Sequence, residues 1–311
     1  MLSGIINVYK EKGFTSFDVV AKLRGILKTR KIGHTGTLDP DAEGVLPVCL
    51  GKATKVCDLL TDKNKEYEAV MLLGTVTDTQ DVTGTVLEKK DVHVTEEQVR
   101  EVILSFVGDY MQVPPMYSAL KVDGKKLCDL ARAGVTVERK ARPVQILGID
   151  ILEVNLPRVR MRVNCSKGTY IRTLCQDIGE KLGCGACMES LLRTQVSHFK
   201  VEEALRLSEI EKLVAKEAGD LAPEDWTREQ FSFIYAVDSV FLQYDKAVVK
   251  QKFEKLLYNG NRMRSEMFTE YKKEWEQDSI RVYDEDGQFI GIYQFMATAG
   301  DYKPIKVFMT K

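Results

Sequence analysis

The chain has 311 residues, 44% hydrophobic and 29% charged, with 22 Gly and 8 Pro, an ordinary globular composition that excludes disordered, collagenous and disulfide-miniprotein classes. Lys and Arg total 45 against 46 Asp and Glu, a formal charge of -1, so a uniformly basic protein is excluded but a local basic face is not. No apolar run approaches the ~20 residues of a membrane helix, MLSGIINVYK reads as a first strand rather than a signal peptide, and seven scattered cysteines point to reduced thiols in a cytoplasmic protein.

In chain order, GIINVY (4–9) reads as a strand. Thr15 and Asp18 then form a capping-box signal for a helix with Val19, Leu23, Ile26 and Leu27 at helical spacing, its last turns carrying Lys28, Arg30 and Lys31. The segment IGHTGTLDPDAEGVLPV (32–48) has no sustained period and is rich in Gly, Pro and Asp; such long irregular stretches inside a compact domain are more often functional than not. YEAVMLLGTVT (67–77) reads as a buried strand, and Thr95 with Gln98 caps a helix that turns Val99, Val102, Ile103 and Phe106 inward and stops at Gly108.

RVRMRVNCS (158–166) alternates strictly, setting Arg158, Arg160 and Arg162 in a row on one strand face. TYIRTLCQDIGEKLG (169–183) follows as a helix with Ile171, Leu174, Cys175, Ile178 and Leu182 inward. Further on, KAVVKQKFEKLL (246–257) reads as a short helix stopped by Asn259-Gly260, SIRVYD (279–284) and QFIGIYQFM (288–296) as a hairpin, and KPIKVFM (303–309) as a closing strand. Strands and helices mixed without a βαβ rhythm indicate an α+β fold with a mainly antiparallel sheet. The expected organisation is a domain over 1–235 and a small β unit over 236–311.

Charge is segregated along this chain. Residues 61–120 carry 5 basic and 11 acidic groups, 121–142 carry 7 and 3, 157–200 carry 8 and 3, and 202–230 carry 4 and 9. Neutral proteins that bind a polyanion distribute charge in this way, although solvated helix and strand faces can do the same.

Candidate chemistry narrows by elimination. Cys184 and Cys187 form one Cys-x-x-Cys pair, but zinc would need two more ligands at suitable spacing, and His34, His93 and His198 are dispersed. No phosphate-cradling glycine motif and no G-x-S-x-G elbow is present. What remains is Gly33-His34-Thr35-Gly36-Thr37-Leu38-Asp39-Pro40. Its two glycines allow tight turns and Pro40 biases Asp39 toward an extended backbone, a way to present one carboxylate at a defined angle. A loop Asp that merely caps a turn would look the same.

GHTGTLDPDAEGVLPV closely resembles the catalytic motif of the TruB family of tRNA pseudouridine synthases, which modify uridine 55 in the T arm. LTDKNKEYEA (60–69) resembles the family's second motif, and CSKGTYIRTL (165–174) with EKLGCGA (180–186) its third. PPMYSALKVDGKKL (114–127) and ERKARPV (138–144) resemble segments flanking a basic RNA-binding insertion, expected near 110–145. The matches are collinear over residues 1 to about 200, and YNGNRMR (258–264) resembles part of a PUA-type RNA-binding domain.

The resemblance implies a pseudouridine-synthase catalytic domain followed by a PUA-like β domain. It implies that Asp39 is the catalytic carboxylate, attacking either ribose or uracil, that Arg172 is its partner, and that Tyr67 lies against the target base. His34, Tyr170 and Leu191 fall where family residues contact or make room for the flipped nucleotide, and Lys10 where the family has a lysine near the site. Where the family commonly has two arginines after the leucine matched by Leu191, this chain has Leu192-Arg193. A stacked base must leave the stack before its glycosidic bond is reachable, and the basic stretches 121–142 and 157–200 are expected to hold RNA phosphates. The implied reaction needs no cofactor and no metal. The expected partner is the tRNA T stem-loop, bound by a monomeric enzyme with no guide RNA and no membrane. A protein that only clamps and refolds the tRNA elbow is the rival reading, and the intact set of Asp39, Tyr67 and Arg172 argues against it.

Overall fold

A computed structural model describes residues 2–308. The elements run β1 (Gly4–Lys10), α1 (Ser16–Ile26), β2 (Ile32–His34), β3 (Glu43–Leu50), α2 (Cys57–Thr61), β4 (Lys65–Leu73), β5 (Thr75–Thr77), β6 (Val86–Lys89), α3 (Glu96–Leu104) and β7 (Gly108–Gln112). After a small hairpin, β8 (Lys121–Val122) and β9 (Lys125–Lys126), come α4 (Leu127–Arg132), β10 (Arg142–Asn155), β11 (Arg158–Cys165), α5 (Ile171–Lys181), β12 (Ala186–Val196), β13 (Phe199–Lys200) and α6 (Leu207–Glu217). The last part holds β14 (Asp245–Val248), α7 (Glu254–Tyr258), β15 (Ser279–Tyr283), β16 (Phe289–Met296) and β17 (Asp301–Val307). Among the described residues no helix is long and apolar enough to cross a membrane.

The fold is α+β around a nine-stranded sheet in the order β1-β3-β12-β4-β11-β10-β7, with β2 on β3 and β13 on β12. Every pairing in it is antiparallel except β12 with β3, which touch in parallel at only Leu192/Glu43 and Arg193/Gly44. Alternation explains the layers. Tyr67, Ala69 and Met71 of β4, with Val159, Met161, Val163 and Cys165 of β11, point into a core closed by α3 and α5. A second core lies between the β1–β3 end of the sheet and the helices α1 and α6. The expected capping boxes are present at Thr15/Asp18 and Thr95/Gln98.

A four-stranded sheet, β14-β15-β16-β17, follows. It is not held by a loose tether: Ile292 and Phe308 join Ile5, Val45, Cys49, Val56 and Phe199 of the large sheet and its edge in one apolar cluster. Lys306 pairs with Asp58 across the same boundary, and Lys55 Nζ donates to the Val307 carbonyl at 2.8 Å.

Several expectations need correction. Residues 246–257 are not one helix: Ala247 is buried on β14, which pairs in parallel with β15, and only Glu254–Tyr258 is α-helical. The β-branched Val248 suits that strand, and Val249 just beyond it bridges to Phe268. The expected strand 67–77 breaks at Gly74, whose φ of 80° turns the chain into β5. Helix α1 ends at Ile26, so Lys28, Arg30 and Lys31 lie beyond it, and Lys28 itself has φ 50°. Within 32–48 only residues 35–42 are irregular, because both flanks pair as β2 and β3. The closing strand begins at Asp301, and Met309 of the expected segment lies outside the described residues.

The arginine row on β11 is real but not free. Arg158 pairs with Glu189 at 2.8 Å, Arg160 with Glu68 at 3.2 Å and Arg162 with Glu66 at 3.8 Å. The acids come from β4, diagonal to Arg160 and Arg162 in the register, and from β12 one strand further on for Arg158. Lys167 pairs with Asp62, and Arg172 and Arg193 are buried. The 157–200 stretch therefore spends much of its charge on ion pairs within the protein, most of them at the surface, whereas Lys121, Lys125 and Lys126 of the β8–β9 hairpin stay exposed. Cys184 and Cys187 are buried free thiols whose pKa values burial pushes up, Cys187 to about 11.

The seam between β3 and β12 depends on a missing side chain. Gly44 has φ 105°, and a Cβ there would stand 2.2 Å from the Arg193 carbonyl oxygen. Only glycine meets both demands. Gly44→Ala is expected to cost more than about 3 kcal/mol in a urea titration, with Gly25→Ala, at a helical glycine with open space around it and no positive φ, costing much less.

Candidate active site

Residues 35–42 connect β2 to β3, and each turn of this loop is held from outside. The Thr35 amide donates to Pro47 O at 3.1 Å and the Leu38 amide to Ser16 Oγ at 2.9 Å, so the first residue of α1 fixes the residue before Asp39. Leu38 inserts into the main core. Lys10 is 0% exposed, and its ammonium donates to the carbonyls of Glu11, Phe14 and Pro40 at 3.1, 2.6 and 3.1 Å. Burial lowers its pKa to about 8 against the pull of Glu43 and Asp39. Lys10 is thus turned into the protein, where it ties the backbone just after Asp39.

Arg193 closes the loop from the other side. Its Cα lies between Tyr67 of β4 and Gly44 of β3 in the sheet register. The side chain is 1% exposed; Nε donates to Val45 O at 2.7 Å and Nη2 to Gly36 O at 3.3 Å. Sequence reasoning had noted Arg193 only as part of a departure from the family pattern. An arginine in an alternating strand carries no mark of burial, and its role became visible only with the register.

Asp39 faces Arg172. Arg172 Nε lies 3.0 Å from Asp39 Oδ2 and Nη2 lies 3.4 Å from Oδ1, a two-pronged contact between a guanidinium with 6% of its side chain exposed and a carboxylate with 41%. The rest of the guanidinium is spoken for: Nη1 donates to Thr79 O at 3.0 Å, Nη2 to Tyr117 O at 2.8 Å, and Asp81 Oδ2 stands 3.8 Å from Nη1. Asp81 in turn accepts from the Thr79 hydroxyl at 2.8 Å and the Thr83 amide at 3.0 Å. Sequence reasoning missed Asp81 because TQDVTG reads as an ordinary turn. Desolvation pushes the Asp39 carboxyl above its usual value; Arg172 opposes this and the nearby Asp81 charge reinforces it.

Tyr67 and Tyr170 lie near this pair, with Leu191 in the adjoining core and His34 nearer Gly36 and Arg193. Tyr67 is buried on β4 beside Arg193 and within electrostatic reach of Asp39; burial raises its pKa, so it is a neutral phenol near pH 7. Tyr170, half-buried, is the residue that precedes α5, close to Arg172 and Asp39. Leu191 on β12 sits opposite Ala69 and packs against the core that contains Tyr67 and Leu38. His34 ends β2, and burial lowers its pKa and keeps the ring neutral. The result is an ionisable oxygen held at a fixed angle by a buried cation, bordered by two aromatic rings and an aliphatic side chain. That arrangement can offer a nucleophile or charge stabiliser to a planar group lying against the rings.

Known proteins resemble this chain along its length. Residues 24–171 match the family model described as TruB family pseudouridylate synthase (N terminal domain), and 172–249 that of the tRNA pseudouridylate synthase B C-terminal domain. A tRNA pseudouridine synthase B of Lachnoclostridium phytofermentans is 56% identical over 99% of this chain and 100% of its own length. The protein of the same name from Clostridium tetani is 43% identical over 98% and 99%. Among solved structures, a chain of the crystallised Cbf5-Nop10-Gar1 complex superposes with a TM-score of 0.73 at 28% identity, covering 99% of this chain and 85% of that one. Two adjoining family models and relatives aligned from end to end lead to one conclusion: this chain belongs to the TruB family of pseudouridylate synthases.

Proposed function

We propose that the protein isomerises uridine 55 in the T loop of tRNA to pseudouridine, acting as a monomer in the cytoplasm without guide RNA. The observation that carries this reading is the Asp39–Arg172 contact at 3.0 Å, made between a half-open carboxylate and a buried guanidinium beside Tyr67 and Tyr170. In the reaction the bond from uracil N1 to ribose C1′ breaks and the base turns. A bond then forms between C5 and C1′, the C5 proton leaves, and N1 takes up a proton. Asp39 is the nucleophile, at the ribose or at the uracil ring. Arg172 keeps it ionised and oriented, and Tyr67 stacks on the base and assists proton movement at C5. The change is redox-neutral, and its steps call on carboxylate, guanidinium and phenol alone, with no cofactor or metal.

His34, Tyr170 and Leu191 take up the space of the extruded nucleotide and partly offset the cost of unstacking. Lys10 serves this site indirectly, through the loop backbone that it ties. The insertion near 110–145 supplies the exposed lysines that meet phosphate, and the 236–311 unit is a PUA-like RNA-binding domain within a two-part organisation, 1–235 and 236–311. The relatives named tRNA pseudouridine synthase B favour tRNA over other RNAs.

The direct test uses unmodified tRNA transcript with C5-tritiated uridine and the protein alone. Tritium release is expected from wild type, mapped to the T loop, and a loss of about 1,000-fold or more is expected for Asp39→Asn with tRNA binding retained. Release only when guide RNA or further proteins are added would overturn the stand-alone reading.

The acid limb of activity should report Asp39. The reaction needs the ionised form, so activity is present above the folded-state pKa and lost as pH falls through it. Because that pKa is raised, the loss begins at higher pH than for an ordinary carboxylate. Asp81→Asn removes one raising charge while keeping an oxygen for Thr79 and Thr83, and should move the acid limb of the single-turnover rate to lower pH; an upward shift would contradict the assignment.

Lys125→Ala with Lys126→Ala should weaken tRNA binding and reduce the slope of log K against log salt by about 1 per lysine, as filter binding across salt would show.

A further inference from the structure

Gln112 is the last residue of β7, a neutral side chain, and it is 1% exposed. Its carboxamide, which also neighbours the Tyr110 side chain on the same strand, makes its two backbone hydrogen bonds outside the sheet. Nε2 donates to Tyr170 O at 3.0 Å, and Oε1 accepts from the Tyr170 amide at 2.8 Å. Tyr170 has φ -102° and ψ 110°, an extended conformation that turns its N–H and C=O to the same side. The Gln112 carboxamide therefore pairs with it as a neighbouring strand would, donor to acceptor and acceptor to donor. The Tyr170 N–H lies just outside α5, where amides have no partner within the helix, and Gln112 supplies one.

Two residues beyond this clamp is Arg172. Fixing ψ of Tyr170 sets where α5 begins and how its first turn is rotated, and so the direction in which the guanidinium meets Asp39. The same position is the root of the basic insertion, because Gln112 and Arg142 are partners in the β7–β10 ladder, so both ends of the 113–141 excursion meet there. The excursion also reaches α5 directly, through the Tyr117 carbonyl on Arg172.

We propose that Gln112 is a positioning residue for the reaction: its carboxamide locks the peptide groups of Tyr170 and thereby phases α5 so that Arg172 holds Asp39, which ties the root of the RNA-facing insertion to the catalytic pair. This rests on the reading of Asp39 and Arg172 as catalytic.

The test compares wild type, Gln112→Leu and Gln112→Glu as full-length proteins. Gln112→Leu, of similar size, should slow the single-turnover rate by roughly 10- to 100-fold, the penalty of a small misplacement, with the Kd for tRNA within about twofold. Gln112→Glu separates positioning from bulk packing. An ionised carboxylate confronts the Tyr170 carbonyl with a second acceptor, whereas a protonated carboxyl restores one donor and one acceptor. The Gln112→Glu to wild-type rate ratio should therefore climb as pH falls, while the Gln112→Leu ratio stays flat. Hydrogen exchange at the Tyr170 amide provides a readout independent of activity, and should be faster in Gln112→Leu with the rest of α5 still protected. Wild-type rates in Gln112→Leu, a flat ratio for Gln112→Glu, or unchanged exchange at Tyr170 would each overturn the proposal. Wild type inactive on tRNA would instead sink the catalytic reading, and exchange would still report whether Gln112 clamps Tyr170.

Discussion

A buried guanidinium must be surrounded by acceptors, because leaving its charge uncompensated costs several kcal/mol. Arg172 sits at 6% side-chain exposure, and the demand of that one group draws together segments far apart in sequence: Asp39, the Thr79 carbonyl with Asp81, and the Tyr117 carbonyl. The turn at 77–85 is also pinned to β12 through Val82 and Met188, and the root of the insertion to α5 through Gln112, so Arg172 adds a hold on segments that the fold already brings close. Satisfying Arg172 assembles the site, and the opening left over is the space beside Asp39.

The charge pattern along the chain acquires a sharper meaning in three dimensions. The acidic stretch 61–120 and the basic stretch 157–200 partly neutralise each other, since β4 and β11 are neighbours, Glu66 and Glu68 pair with Arg162 and Arg160, and Asp62 pairs with Lys167. Their net charges cancel across the sheet and leave little field at a distance. Among the described residues, the exposed lysines of the β8–β9 hairpin have no such partner strand of opposite charge.

Much of this architecture was legible in advance where local rules decide. Both capping boxes, the alternation of β11, the inward face of α5 and the hairpin of β15 and β16 follow from spacing and cap chemistry. Reading failed where a distant partner decides. Residues 246–248 carry helix-compatible side chains, yet β15 recruits them as a strand. The arginines of β11 looked free because their acids come from other strands. In the site, Asp39, Tyr67 and Arg172 were reached through family motifs and not from composition, since an Asp in a loop near glycine and proline is usually a turn residue. Arg193, Asp81 and Gln112 were invisible because their work is done for the backbone or charge of other residues.

The two-residue contact between β3 and β12 divides the large sheet into two antiparallel leaves joined by a stub. Asp39 follows β2 on one leaf, while Tyr67 and Leu191 belong to the other, with Arg172 on the helix packed against it. The reactive pair is therefore a clasp across a junction and not a property of either half. Chemistry and tertiary continuity fail together at that line: a fluctuation that parts the leaves disarms the protein while most of its hydrogen-bonded ladder is still intact.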